Sequence, residues 1–322
     1  VKRPIIDFCL GWGPEPEEPF LEMLREACQN HRLNFFVCRD EHVDRLIRGL
    51  DTGKGPIRLY LNADGIYEDP ERSYTRLGFA VHDSGGVVVN EPDQADRSAN
   101  KAIIHYDFEK ADIPTPNTVV VRNWEPKDFR LTVQERNRLG NPFIVKPARG
   151  YGKKGVVKVK GSGIREIARA RTFDRGDDFL IQEIITPDWF EHRRAWFRVY
   201  VVMGEVIPCW WDHVTEHSQA VTLEEYHRFG LAKLADIALR ISSITRMNFF
   251  STEIAITQTG RRRRFVSIDY VNDPCDMTLQ GQSHCGVPEP VVRRIAGQLA
   301  ETAWRLRRGR SLLAEPRLWF VS

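Results

Sequence analysis

The feature that most constrains this chain is a glycine-rich run set between two strand-forming stretches. Phe143-Ile-Val-Lys146-Pro147 leads into Ala148-Arg-Gly150-Tyr-Gly152-Lys153-Lys154-Gly155, and Val156-Val-Lys-Val159 follows. Gly150 to Gly155 spell GxGxxG, but the dinucleotide-binding form of that pattern runs strand, loop, helix, because the helix N-terminus receives the pyrophosphate. Here the loop is followed by strand-forming valines, so that reading fails. A glycine loop between antiparallel strands instead suits a flap over phosphates: small residues let the backbone approach closely and amide groups supply donors. Protein kinases use such a flap, yet no DFG occurs and His192-Arg193-Arg194 is not a kinase catalytic loop. The bland alternative is an ordinary hairpin turn, and the lysines around the loop argue against it.

Upstream, from Pro4 to about Asn90, strand and helix patterns alternate: IIDFCLGW, then PFLEMLREACQNH with Phe20, Leu21, Leu24 and Ala27 at helical spacing, then LNFFVC, EHVDRLIRGL, IRLYLN, SYTRLGFAVHDSG and GVVVN. Such alternation predicts a parallel sheet with right-handed crossovers. GWGPEPEEP after the first strand carries too many acids and prolines to cradle a pyrophosphate. Further on, a turn and then a helix capped by Ser98 and running to about Ala111 are expected, stopped by Pro114 and Pro116. The pattern then predicts a strand at TVVV, a helix over 127–139, the flap strands, a helix over 162–172 and a strand at FLIQEII. AWFRVYVVMG and EVIPCWWD read as strands turning at Gly204–Glu205, HVTEHSQAV as a loop, and Leu223–Met247 as one long helix. FFSTEIAI and RFVSIDYV flank the turn QTGRRRR, and a helix closes the chain.

Length and composition set outer bounds. The 322 residues suffice for two or three packed units at ~100–200 residues each. Hydrophobic residues make up 42% and charged residues 28%, an ordinary globular mixture, and the net charge of +3 is too small to make nucleic acid the main partner. The six cysteines show no CxxC pairing, so reduced thiols in the cytoplasm are expected. The N-terminus reads as a first strand and not as a signal peptide, and the missing initial Met suggests trimming upstream. No apolar stretch approaches the ~20 residues of a membrane span.

Several charged residues stand where burial is costly. Lys146 sits in an apolar strand before Pro147, which favours an anion as its partner, and Arg198 in AWFRVYVV likewise needs one; a phosphate suits it. Phosphoryl transfer needs hard oxygen ligands for Mg2+, and Glu253, Asp269 and Asn272 supply two acids and an amide on neighbouring strands. Residues three apart on a regular strand face opposite ways, so Asp269 and Asn272 converge only if the strand bulges or ends between them; otherwise Asp273 takes one place. Strand-end capping is the structural alternative. Cys275, His284 and Cys285, or His213 with His217, do not make a zinc set at recognised spacing. Arg261–Arg264 form a basic tip that is ordinarily a solvated turn, and Trp210-Trp211 is ordinarily aromatic packing.

Taken together and in order, these motifs resemble the ATP-grasp family, over roughly residues 90–276. Ser98-Ala-Asn100-Lys101 with IPTP resembles the family's NK…GIPTP, FIVKP its VVKP strand, ARGYGKKG its flap, LIQEII its QEFI hinge and WFR its DIR triplet, with Trp196 in place of the aspartate. The resemblance implies an α/β (α+β) chain: a Rossmann-like N-terminal domain over 1–95, a small lid subdomain with its linker helix over 96–183 and a large C-terminal subdomain over 184–322, with ATP between two sheets. It implies ATP and Mg2+ as cofactors. Lys101, Lys146, Gly150, Gly152, Lys154 and Gly155 would then hold phosphates. Gln182, Glu183 and Ile185 would meet the adenine, with Glu183 facing its amino group, and Asp188 or Glu191 the ribose. Lys153 and Arg198 would serve the transfer, and Glu253, Asp269 and Asn272 the metal. The implied activity is a ligase joining a small-molecule carboxylate to an amine or thiol, with a hydroxyl-phosphorylating kinase or a nucleotide-binding protein without turnover as alternatives. No nucleic acid or membrane is expected, and a homodimer is allowed.

Overall fold

The computed structural model describes residues 5–12, 18–53, 55–64, 69, 71–150, 152–161, 163–259, 262–310 and 316–321. Tyr151 of the glycine loop, Ser162 and Arg261 lie outside them, as does most of the acidic run GPEPEEP. In chain order the strands are β1 (Ile6–Gly11), β2 (Phe35–Cys38), β3 (Ile57–Asn62), β4 (Val87–Val89), β5 (Thr118–Val121), β6 (Phe143–Pro147), β7 (Val157–Val159) and β8 (Phe179–Glu183). They continue as β9 (Trp189–Phe190), β10 (Arg193–Arg194), β11 (Trp196–Val202), β12 (Glu205–Asp212), β13 (His217–Ala220), β14 (Phe249–Thr259), β15 (Arg262–Asn272) and β16 (Arg317–Leu318). The helices are α1 (Glu18–Asn30), α2 (Asp40–Asp51), α3 (Ser73–Asp83), α4 (Pro92–Ala99), α5 (Lys101–Lys110), α6 (Val133–Leu139), α7 (Ile164–Ala170), α8 (Leu223–Arg228), α9 (Ala232–Thr245) and α10 (Glu289–Arg307).

The sequence suggests three consecutive segments, whereas compactness divides the chain into two units that are not continuous in sequence. The first comprises Val1–Asp96, Trp196–Thr252 and Asn272–Ser322; the second comprises Arg97–Ala195 and Glu253–Val271. The division follows from the two 11-residue strands β14 and β15, each of which contributes residues to both units.

In the first unit, β2-β1-β3-β4 form a parallel sheet, as the strand–helix alternation predicts. Strands buried on both faces need near-continuous apolar sequence, and β1 has it. Leu10 and Leu59 pack with Leu24 of α1 and with Ile295 and Leu299 of α10, while Cys9 and Tyr60 pack with Leu77 and Val81 of α3. A second sheet has the order β13-β12-β11-β14-β15, with β16 beside β12. The β11–β12 turn is Met203-Gly204, one residue earlier than expected, and both residues have positive φ (49° and 85°), the requirement of a tight hairpin whose twist matches its strands. The expected single helix over 223–247 is two, α8 and α9, because Gly230 at φ 65° breaks the first. The expected loop after β12 contains β13, whose residues alternate exposed and buried.

In the second unit, β5-β8-β6-β7 form an antiparallel sheet. Val121, Phe143, Val145, Val159, Phe179 and Ile181 share a core with Ile167 of α7 and Leu139 of α6. Side chains alternate along a strand and paired residues share a face. The opposite face therefore carries Thr118, Gln182, Ile144, Lys146 and Lys158. Among the described residues no helix is long and apolar enough to cross a membrane.

One buried charge ties together the C-terminal part of the first unit. Glu205, 1% exposed, receives Arg294 Nε and Nη2 at 2.7 and 2.6 Å, and Arg317 Nε lies 2.8 Å away. The two arginines reach water and the carboxylate does not. Removing Arg294 takes both hydrogen bonds from a buried anion and leaves it Arg317 alone, whereas removing the acid leaves two arginines that already reach water. Urea unfolding of Arg294→Ala should therefore show a loss of about 3 kcal/mol, more than Glu205→Gln shows. The reverse order would place the anchoring elsewhere.

Candidate functional site

The site residues of the second unit are set by one helix start. Asn100 accepts from the Ala102 and Ile103 amides at 3.0 and 3.1 Å, so the cap of α5 is Asn100 and not Ser98, which is buried at the end of α4. Lys101 thus becomes the first residue of α5. Its backbone amide donates to Ala148 O at 2.9 Å, its Nζ donates to Gly150 O at 2.8 Å, and the same Nζ lies 3.9 Å from Asp269 Oδ1.

Lys146 on β6 is 8% exposed. Its Nζ donates to Ile268 O at 3.3 Å and lies 5.5 Å from the centre of the Tyr270 ring. Burial pulls the ammonium down to about 8, the Asp269 and Glu253 carboxylates oppose that pull, and the Lys101 charge adds to it. Two cations and two carboxylates therefore act on one another, in the combination that phosphates with a divalent cation require. Both acids lie on β14 and β15, and both are half-buried.

The glycine run does lie between antiparallel strands, with Phe143 opposite Val159 and Val145 opposite Val157. Its base is held by Ala148 N–H to Asp178 O and Arg149 N–H to Asp177 Oδ2, both 2.7 Å. Gly152, Lys153 and Gly155 take φ of 60°, 61° and 73°. A Cβ on Gly155 would meet the Phe173 ring at 2.7 Å, so glycine is required there on both counts. Lys153 and Lys154 are exposed. Lys158 belongs to none of the motifs, yet its pairing with Ile144 puts it on the Lys146 face, and the Val-Lys-Val alternation is the sequence signal for it.

The hinge candidates divide. The Gln182 amide donates to Thr118 Oγ1 and Tyr270 Oη, both 2.9 Å, and His105 Nδ1 meets the same Oη at 2.9 Å. Glu183 Oε2 accepts from Asn117 N and Nδ2 at 3.0 and 2.8 Å and lies 3.5 Å from Arg264 Nη1. That oxygen is thus occupied within the fold. Ile185 is half-buried, Asp188 N–H donates to Ile256 O at 2.8 Å, and Glu191 is exposed in the β9–β10 turn with φ 57°.

Arg198 and Asn272 belong to the first unit. The Arg198 guanidinium stacks 3.8 Å over Trp211, and Cys209 lies opposite it on β12. Burial pushes the Cys209 thiol up to about 12 against the pull of the Arg198 charge. β15 continues through Asn272, so the strand does not end between Asp269 and Asn272. Among the described residues no three His, Cys, Asp or Glu side chains gather as a metal set.

No family model matches the chain. It is 30% identical over 125 residues to the tetrahydromethanopterin:alpha-L-glutamate ligase of Methanocaldococcus jannaschii, a stretch that is 37% of this chain and spans 40% of that relative. Among solved structures it is similar to the ATP-grasp ligase PsnB, complexed with minimal precursor, Mg and ADP, with TM-score 0.61 and 15% identity over 91% of this chain and 98% of that one. It is also similar to the D-cycloserine synthetase DcsG, with TM-score 0.62 and 16% identity over 93% of this chain and 100% of the other.

The Lys146 geometry has a consequence for stability. With the folded ammonium titrating near 8 and the unfolded one near 10.5, the unfolded chain holds a proton between those values that the folded chain has released. Stability should therefore rise between them, by about 3 kcal/mol at most. Urea denaturation at the two ends of that window should show the wild type gaining on Lys146→Met. A constant difference would mean that the ammonium is not buried.

Proposed function

We propose, on the premise that this chain has the fold of the ATP-grasp ligases, that it is an ATP- and Mg2+-dependent ligase joining a carboxylate to an amine or thiol. The observation that carries the reading is the mutual placement of Lys101, Lys146, Asp269 and Glu253 beside a glycine hairpin. Lys101 and Lys146 would neutralise phosphate oxygens, and the flap amides would add donors. Asp269, 3.9 Å from Lys101 Nζ, and Glu253, whose charge acts on Lys146, are hard oxygen donors, and they would hold Mg2+, with the nucleotide's own oxygens completing the shell. Bound there, the ion would offset charge on the transferred phosphoryl group. Because the Glu183 carboxylate is held by Asn117, recognition of the base at this strand would fall to backbone groups near Ile185. Arg198 and Asn272 keep their proposed roles by motif position alone, and this reading rests on the second unit.

In the reaction, a substrate carboxylate oxygen attacks the γ-phosphorus and ADP leaves. The amine or thiol then attacks the acyl carbon, phosphate leaves with the C–O electron pair, and the nucleophile loses its proton. The similarity to a glutamate ligase, a stretch short of half that protein, supports a carboxylate partner and leaves its identity to experiment.

Three tests bear on the reading. Lys146→Ala should weaken ATP binding at least about tenfold, measured by calorimetry on a folded variant, because it removes a buried charge-assisted contact; wild-type affinity in that variant would contradict the assignment. Incubation with ATP, Mg2+ and carboxylate and amine panels should give ADP, free phosphate and a new amide or thioester. A phosphoester without free phosphate would replace the ligase with a kinase. Glu253→Ala should abolish Mg2+-dependent turnover.

A further inference from the structure

The second unit contains an open cavity of about 410 Å3 bounded by α5, the edge strand β5 and α6. Its lining includes none of Lys101, Lys146, Asp269 or Glu253. The volume is within the range of small-molecule sites. The three walls offer different chemistry. On α5 stand Glu109, half exposed, and His105, whose side chain is 3% exposed and whose Nε2 lies 3.4 Å from Glu109 Oε1. On α6 stand Glu135, whose carboxylate accepts from Thr132 N and Oγ1 at 2.7 and 2.8 Å and so is engaged in the helix's own cap, and Arg138, exposed and in no ion pair among the described residues. The third wall is backbone. Glu183 N–H donates to Asn117 O at 2.9 Å, which turns the main-chain groups of 117, 119 and 121 toward β8. Thr118 and Val120 therefore turn theirs outward, from a strand with a partner on one side only.

An acid on α5, a guanidinium on α6 and outward N–H and C=O groups on β5 offer complementary partners to a molecule that carries both an ammonium and a carboxylate. We propose that this cavity is a second small-molecule site that takes a free α-amino acid, with Arg138 holding the carboxylate and Glu109 the ammonium. The ligand would be sensed at the charge cluster. His105 lines the cavity and bonds Tyr270 Oη at 2.9 Å; Thr118 lines it and holds Gln182, which bonds the same hydroxyl; and the Tyr270 ring lies beneath Lys146. Burial keeps His105 neutral, with Glu109 opposing and Lys146 assisting, so an ammonium bound at Glu109 meets no competing imidazolium. The binding claim stands apart from the ligase reading; only its effect on the nucleotide rests on that reading.

The test uses the full chain without nucleotide. Calorimetry with a panel of free L-amino acids should find at least one that binds about tenfold or more tightly than acetate or methylammonium, since both charges are held. Arg138→Ala and Glu109→Gln, both at exposed positions, should each weaken that binding about tenfold, with unchanged circular dichroism and ATP affinity. Arg198→Ala should leave the binding as it was. If no amino acid outbinds the singly charged probes, or if binding survives both cavity variants, the proposal is overturned. If binding survives the cavity variants and disappears with Arg198→Ala, the amino acid occupies the reaction site; that result ends this proposal and leaves the ligase reading standing. The ligase reading fails independently if ATP is not consumed in any substrate mixture.

Discussion

The second unit depends on keeping the Lys146 ammonium charged where water barely reaches it. A bare ammonium in an apolar strand would lose several kcal/mol of hydration, enough to undo a small sheet. The chain compensates from β14 and β15, through the Ile268 carbonyl, the Tyr270 ring and the Asp269 and Glu253 carboxylates. The compensation is incomplete, since the group still falls to about 8. Lys101 adds to the strain, because a second cation nearby favours the neutral amine. Two lysines and two acids held this way are poised to gain from an incoming anion, which would relieve both the burial and the repulsion.

Strand register delivers those groups. On β6 the apolar residues Phe143 and Val145 face the helices, which forces Ile144 and Lys146 to the other face, and on β8 the same rule puts Gln182 with them. Gln182 then performs a structural task, bridging Thr118 of β5 to Tyr270 of β15, while His105 of α5 closes on the same hydroxyl. Tyr270 is fully buried, so its hydroxyl needs these partners. The residue beneath the Lys146 ammonium is therefore fixed by three elements, and Asp269 precedes it in the chain.

Periodicity revealed what depends on burial and missed what depends on local chain chemistry. The alternation from Pro4 to Asn90 and the strands on either side of the glycine run were legible because apolar spacing leaves a direct mark, whereas the grouping of Lys101 and Lys146 with Glu253 and Asp269 followed only from the resemblance, since charges far apart in sequence carry no mark of their meeting. The cap of α5 was misplaced because Ser98 and Asn100 are equally good cap residues, and only the buried end of α4 decides between them. The single long helix over 223–247 was an apolar stripe continuing across Gly230, whose φ the pattern does not report. β13 was hidden because His217, Ser218 and Gln219 are polar on both faces, and the strand exists through its pairing with β12. The two-unit division was illegible for a similar reason: it depends on where β14 and β15 travel.

Glu183 shows how a motif can place a residue and still leave the direction of its side chain open. The hinge resemblance sets it at the end of β8, and it is there. Its Oε2, however, accepts two bonds from Asn117, which follows Pro116 and enters β5. Arg264 approaches the same oxygen and also donates to Thr115 O at 2.7 Å. The carboxylate thus fastens the entry to an edge strand that has only β8 beside it. Swinging Oε2 away to meet a ligand would unfasten that entry and return the half-buried Asn117 donors to water. Backbone groups beyond the strand carry no such cost, because β8 ends at Glu183 and the chain there is released from the ladder.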